Sequence, residues 1–375
     1  MASKVKWVRL GDYIEPIERR NGTQQFGIDS VRGISNTKEI MPTKAKVDEA
    51  VVNKFYVIFP DEFIYNPRTT RMGDKVGLAY NYTNVPLLFS FNNLAFGIKA
   101  ERKDKILPEF LYLYFSRDEF DRYARVNSWG SATELFTYED LSLMKIPLPS
   151  PEEQQKVVNA WKACREIKEQ NEAKAAPLMQ VCLSYIQELK HKFPMCELGE
   201  YIEESNERNK DGMFNANDLM GVCSEGTFIK SIANTQGLNF GNYKVVHQGD
   251  FAYSNRINVG SIALRYGDDC IISPSYAVFR IKKESEDVLL KEYLAIWFRR
   301  SEFLRSTLFF AFGTIKDDFS HREMCRVKIP LPPIDVQRAI VNIYKCANEA
   351  KQIAAEADRL SREVCPALLQ HIIES

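Results

Sequence analysis

The sequence has few histidines, and neither these nor its cysteines are grouped as metal or redox chemistry requires. Its four histidines, at 191, 247, 321 and 371, stand apart and form no ligand cluster. The eight cysteines (Cys164, Cys182, Cys196, Cys223, Cys270, Cys325, Cys346 and Cys365) include no C-x-x-C pair, so neither a zinc site nor a disulfide framework is indicated. Several fall on apolar helix faces, as buried reduced thiols do. No apolar run approaches the ~18 residues of a membrane span, and the opening MASKVKWVRLGDYIEPIERR lacks the apolar core of a signal peptide. A cytoplasmic protein is expected. A glycine-rich βα turn and a P-loop are both missing. Neither charge is in excess, since 50 basic and 50 acidic side chains give a formal net charge of zero. Free-standing non-specific nucleic-acid binders are usually basic, so any DNA contact has to be local or shared with a partner.

What the chain does contain, it contains twice. KIPLPSPEEQQKVV (Lys145 to Val158) returns as KIPLPPIDVQRAIV (Lys328 to Val341), an offset of 183 residues. That offset also relates Glu109 and Leu111 to Glu292 and Leu294, Phe115 to Phe298, Gly130 to Gly313, and Phe96, Ile98 and Lys99 to Phe279, Ile281 and Lys282. Earlier in each copy the offset is 188: LGDYIE (Leu10 to Glu15) returns as LGEYIE (Leu198 to Glu203), and Phe63 and Tyr65 return as Phe251 and Tyr253. A five-residue deletion in the second copy, between the positions of Arg68 and Ser90, reconciles the two. Each copy is long enough for a domain with its own core, and much longer than the ~20–50-residue unit of a solenoid.

Within one copy, alternating β-branched and aromatic residues at Val57 to Tyr65, Gly77 to Tyr80 and Leu94 to Lys99 read as strands, as do Lys244 to Tyr253, Ser261 to Tyr266 and Ala277 to Lys282. One helix is expected near Pro108 to Tyr123 and its counterpart near Leu290 to Thr307. Strands followed by a segregated helix indicate an α+β domain. After IPLP the character changes: Ser150-Pro151-Glu152-Glu153 is a helix start, with Ser as N-cap and acids at the positive end. Val157, Trp161, Cys164, Leu178, Cys182, Tyr185 and Leu189 then follow heptad spacing, as do Ile340, Ile343, Ala347, Val364 and Leu368 after the second motif. Such stripes suit either packing on each helix's own domain or mutual antiparallel packing; the latter is preferred, with Pro177 and Pro366 expected to kink or divide the helices.

In this order and in duplicate, the LG(D/E)YIE opening, the F-x-Y strand, the Gly130-Ser131 and Gly313-Thr314 turns, and IPLP with its following Pro and Gln resemble the specificity subunit of Type I restriction-modification systems. The likeness covers essentially the whole chain. It implies an α+β fold of two tandem target recognition domains separated by a pair of long antiparallel coiled-coil helices, a pseudo-twofold internal repeat. The boundaries would be 1–149 and 193–332 for the domains and 150–192 and 333–375 for the helices. It further implies that each domain reads one half of a split site in double-stranded DNA and that the helices set the gap. Two adenine-N6 methyltransferase subunits using S-adenosylmethionine, and restriction subunits using ATP and Mg²⁺, are the implied partners. This chain would bind no cofactor or metal and carry no catalytic residue.

Base reading needs hydrogen-bonding side chains presented on loops. The candidates come in equivalent pairs: Arg19, Arg20 and Asn21 with Arg208 and Asn209; Arg68, Thr69, Thr70 and Arg71 with Asn255, Arg256 and Asn258; Ser128 and Ser131 with Thr314; and Ser275 and Tyr276, opposite Ser90 to Asn93. Three other readings compete. A protein-binding scaffold is one. A metal-dependent nuclease is hinted at by Asp61 with Glu101 and Lys103, but the second copy offers only Asp250 and Glu284-Ser285-Glu286, without the lysine. SPSY (Ser273 to Tyr276) approaches a methyltransferase motif but lacks its second proline.

Overall fold

The structure, a computed structural model, describes residues 5–43, 46–68, 75–129, 134–254, 262–300, 302–303, 305 and 319–374. Two compact units divide the chain: residues 1–169 with 353–375, and residues 170–352.

In the first unit, β1 (Lys6–Arg9) pairs antiparallel with β10 (Lys145–Leu148), which closes the domain by joining its first strand to its last. A four-stranded antiparallel sheet has the order β2 (Ile14–Ile17), β9 (Leu94–Ile98), β6 (Phe63–Tyr65), β7 (Leu78–Tyr80). Two further pairs are β3 (Arg32–Ile34) with β4 (Ile40–Pro42), and β5 (Tyr56–Ile58) with β8 (Leu87–Phe89), and a parallel bridge joins Val31 to Leu88. Phe63 and Phe96 stack at 4.9 Å across neighbouring strands, and Phe115 meets both edge-on at 6.2 and 6.0 Å. Removing one such ring costs about 3–5 kcal/mol.

Phe115 ends α1 (Pro108–Phe115), a helix buried nearly all round because it lies within this core. The single helix expected to Tyr123 is two. Ser116 turns its hydroxyl back to the Tyr112 carbonyl at 2.9 Å, and the chain restarts as the amphipathic α2 (Asp118–Val126) with three acids in its first turn. A Thr137–Asp140 capping box opens α3 (Tyr138–Leu143).

The second unit repeats this topology. Strand β11 (Met195–Glu197) pairs with β20 (Lys328–Pro330), and the four-stranded sheet has the order β12 (Ile202–Glu204), β19 (Tyr276–Ile281), β16 (Phe251–Ser254), β17 (Ile262–Leu264). A second sheet runs β14 (Phe228–Lys230), β13 (Leu219–Val222), β18 (Cys270–Ile272), β15 (Lys244–Val246), with β13 and β18 parallel where the first unit has its Val31–Leu88 bridge. Phe251 stacks on Phe279 at 4.9 Å, and Phe298, the last residue of α5 (Lys291–Phe298), meets them edge-on. A short α6 (His321–Cys325) stands where α3 stands in the first unit. The glycine of each LG(D/E)Y segment is a close-approach site: a Cβ on Gly11 would lie 2.8 Å from that of Ser142, and one on Gly199 would lie 2.8 Å from that of Cys325.

The helices after IPLP are α4 (Pro151–Lys192) and α7 (Ile334–Glu374), 42 and 41 residues long. Ser150 is the expected N-cap of α4, and with Glu153 it forms a capping box. Both helices run through their prolines, so Pro177 and Pro366 divide neither. Each contributes to both units. In the first unit the pairing of Lys168 with Asp358 at 2.7 Å, and the approach of Cys164 to Cys365, give the two segments opposite directions.

The alternatives of packing on the domain and packing on the other helix are both realised. Val157, Val158 and Trp161 of α4 join Cys365 and Leu369 of α7 in the first core, while Cys182, Ile186, Leu189, Ile340 and Val341 join the second. Ala347, Ala350, Ala354 and Ala357 are buried as the stripe requires. Further along, the phase slips by one residue: Val364, Leu368 and Tyr185 are exposed, and Cys365, Leu369 and Ile186 take their places. A straight helix gains about 20° per heptad on a strict seven-residue repeat, which reaches a full residue over this length. Ile343, Cys164 and Leu178 are half-buried. Of the eight cysteines, Cys182, Cys270 and Cys365 are buried, with thiols pushed up to about 11 by desolvation; Cys346 is exposed, and none is in a disulfide.

Candidate nucleic-acid interface

The described ends of two sequence-predicted loops of the first unit are joined through a shared backbone segment. Arg68, just after β6, forms a backbone bridge with Leu135, which also bridges Trp129, and Phe136 donates its N–H to the Pro67 carbonyl at 2.8 Å. The Asn66 carboxamide holds the Arg68 N–H at 3.0 Å. Pro67 and Arg68 are thus joined to Trp129 through Leu135 and Phe136. Sequence reasoning missed part of it. On the solvent side of α2 and its continuation, Arg122, Arg125, Val126 and Trp129 follow helical spacing, and Val126 and Trp129 are 74% and 73% exposed. Arg122 pairs with Glu119 at 3.0 Å. An exposed tryptophan following two arginines at helical spacing offers the flat apolar face and cationic donors that nucleic-acid surfaces recognise. The available signal was the heptad-like R-x-x-R-V-x-x-W spacing.

Other predicted residues are consumed by the fold. Asn21 is 2% exposed, and its side chain donates to the Phe26 and Val52 carbonyls and accepts from the Phe26 N–H. Asn209 repeats this on Phe214 and Phe240. Both organise loops, and neither has a free group to reach a base. Ser128 is likewise buried, its hydroxyl donating to the Ala124 carbonyl. Arg20 lies over the Tyr56 ring at 3.4 Å and donates to the Lys54 carbonyl, as Arg208 does to that of Asn242. Arg19 makes a two-pronged pair with Glu62 at 2.9 and 3.1 Å above the Phe59 ring. Arg68 and Ser275 are exposed and Tyr276 is half-buried. Thr69, Thr70, Arg71, Ser131, Asn255, Arg256, Asn258 and Thr314 lie outside the described residues.

The copies differ most in their charged braces. Where the first unit has Arg19 on Glu62, the second has Glu207 accepting from His247 at 2.9 Å, with Asp269 on the other ring nitrogen at 2.6 Å. Glu207 chiefly, together with Asp269, raises the His247 pKa above the ordinary imidazole value. Asp250 pairs with Arg280 at 3.1 Å, and burial raises its carboxyl. In the first unit Lys38 donates to both oxygens of Asp121 at 2.7 Å, with each side chain 4% exposed; burial lowers the ammonium pKa.

Asp61 accepts the Tyr80 hydroxyl at 2.7 Å from a left-handed backbone position, which is a structural use. Among the described residues no three His, Cys, Asp or Glu side chains gather as a metal site, and no helix is long and apolar enough to cross a membrane.

Two α+β domains of one topology, each closed by a strand that leads into a long helix, define a tandemly duplicated module with two long helices. The family model for the Type I restriction modification DNA specificity domain matches twice, at residues 28–174 and 193–354, and the chain belongs to that family. Among solved structures, the S subunit of a Type I restriction-modification system from M. genitalium is similar over 98% of this chain and 97% of its own, at 12% identity and a TM-score of 0.61. The HsdS subunit from Thermoanaerobacter tengcongensis covers 100% and 96% of the two chains, at 22% identity and a TM-score of 0.38. A chain from work on complex assembly and conformational transition of the type I R-M system covers 100% and 98%, at 19% identity and a TM-score of 0.45. No curated protein matches the sequence.

Proposed function

We propose that this chain is the specificity subunit of a Type I restriction-modification complex, in which each domain reads one half of a bipartite double-stranded DNA target. The helices set the gap between the halves and dock two adenine-N6 methyltransferase subunits, and restriction subunits with translocase activity join that complex. In this reading the chain is not an enzyme. S-adenosylmethionine, ATP and Mg²⁺ are used by the partners, and this chain binds none of them.

One observation supports the reading: the two copies keep a shared set of internal bonds while residues on their outward surfaces differ. Asn21 and Asn209 make the same three hydrogen bonds, and the Phe63–Phe96 and Phe251–Phe279 stacks have the same spacing. Yet the exposed Arg19 is matched by Glu207, and the exposed Trp129 by Phe312 in the sequence. A shared frame with unlike reading surfaces suits two unlike half-sites. A neutral chain suits a complex in which partners supply phosphate contacts.

Selection from a random duplex pool by the purified complex with its modification subunits tests this. Enrichment of two unlike blocks at a fixed gap is expected, and Arg68→Ala with Arg256→Ala is expected to abolish the enrichment while leaving salt-sensitive, sequence-independent binding. If the wild-type complex enriches no sequence, the proposal is wrong.

A further inference from the structure

The Lys38–Asp121 pair sits at a position the second copy treats differently. Lys38 is in the turn between β3 and β4, closed by its own N–H on the Ser35 carbonyl, and has a backbone φ of +63°. That is left-handed territory, which a long side chain rarely occupies and glycine adopts freely. The equivalent residue of the second unit is Gly226, at φ +70°. The equivalent of Asp121 in the sequence is Leu304. The first copy thus keeps a strained, desolvated cation where the other copy shows that an uncharged solution serves the same fold. Residues held in such conformations cluster at functional sites.

Asp121 connects three pieces of chain. It holds Lys38 of the β3–β4 turn, accepts the Val76 N–H at 2.9 Å, and lies 3.7 Å from Lys75, which also pairs with Asp118. It is itself part of α2, whose exposed side carries Arg125 and Val126, with the exposed Trp129 three residues beyond its end. The predicted contacts Thr69, Thr70 and Arg71 fall in sequence between Arg68, which bridges to Leu135 beside Trp129, and Val76, which Asp121 holds.

We propose that Lys38 and Asp121 are positioning residues for DNA reading by the first domain alone: their ion pair locks α2 and the Val76 strand lead to the β3–β4 turn, fixing the face that carries Arg68, Arg125 and Trp129. The proposal rests on the reading that each domain recognises one half-site. It does not require either side chain to touch DNA.

The test is duplex-pool selection with the full complex carrying Asp121→Asn, Lys38→Met or Lys38→Arg, with thermal melting of each chain alongside. Asp121→Asn and Lys38→Met are expected to lower discrimination about tenfold per base pair, the size of one mismatch, in the half-site that Arg68→Ala affects, and to leave the other half unchanged. Lys38→Arg, which keeps the charge on the carboxylate, is expected to restore most of it. Unchanged discrimination in both halves, or equal loss in both, would overturn the proposal. So would variants that melt early and lose both halves together, because the pair would then serve global stability. A wild-type complex that enriches no split site would instead overturn the functional reading itself, a result distinct from all of these.

Discussion

The Oε1 of Gln154 accepts the Leu107 N–H at 2.9 Å, and 183 residues later the Oε1 of Gln337 accepts the Leu290 N–H at 2.9 Å. Their amide nitrogens complete the correspondence, Gln154 donating to the Lys105 and Pro149 carbonyls and Gln337 to those of Val288 and Pro332. Both side chains are wholly buried. The glutamine of each IPLP motif is therefore a bracket that ties the first turn of a long helix to the loop leading into the helix at the domain's core. Replacing either by Ala removes the partner of a half-buried N–H and of two carbonyls. A loss of about 2–4 kcal/mol is expected in urea unfolding, and a loss under about 0.5 kcal/mol, typical of a surface position, would refute the bracket.

Gly11→Ala and Gly199→Ala are each expected to cost about 1–3 kcal/mol by forcing backbone apart at the α3 and α6 contacts. Gly27→Ala, where the added methyl meets open space, is the control and is expected to be near neutral. Thermal melting of the three variants distinguishes a close-approach role from a general intolerance of glycine replacement.

The His247 brace predicts a pH dependence confined to the second unit. Because its folded pKa is raised above 6.5, its contribution is fully present below that value and is lost as pH rises through the folded pKa. The urea midpoint of the wild type should therefore fall relative to that of His247→Gln as pH is raised from about 6.5 into the alkaline range. A difference between the two proteins that does not vary with pH would contradict the assignment.

Much of this was legible before any coordinates. A period of 183 residues, the IPLP prolines and the Ser150 cap announced two domains and two helices, since these signals are local and repeat in order. The consumption of polar groups was not legible. Asn21 and Asn209 look like loop contacts in a linear sequence, and only burial reveals that their hydrogen-bonding capacity is spent on Phe26 and Phe214. Nor could heptad counting locate Cys365 rather than Val364 in the core, because the drift of a 3.6-residue helix accumulates over many turns. The Lys38–Asp121 pair joins residues 83 apart and is absent from the second copy, so neither pattern nor repetition marks it.

If α4 and α7 set the gap between half-sites, removing seven residues after Val341 from α7 together with the opposing seven from α4 should shorten each helix by about 10 Å. The preferred gap should contract by about three base pairs. A gap that stays the same would rule out the helices as the ruler.

The central claim is that this chain alone determines which sequence its complex modifies. Mapping N6-methyladenine across the genome of a methylation-free host, with the modification subunits expressed with and without this chain, tests that most directly. The account predicts a single split motif with two unlike halves and a fixed gap, present only when this chain is. Methylation at an unsplit site, or the same pattern without the chain, would contradict it.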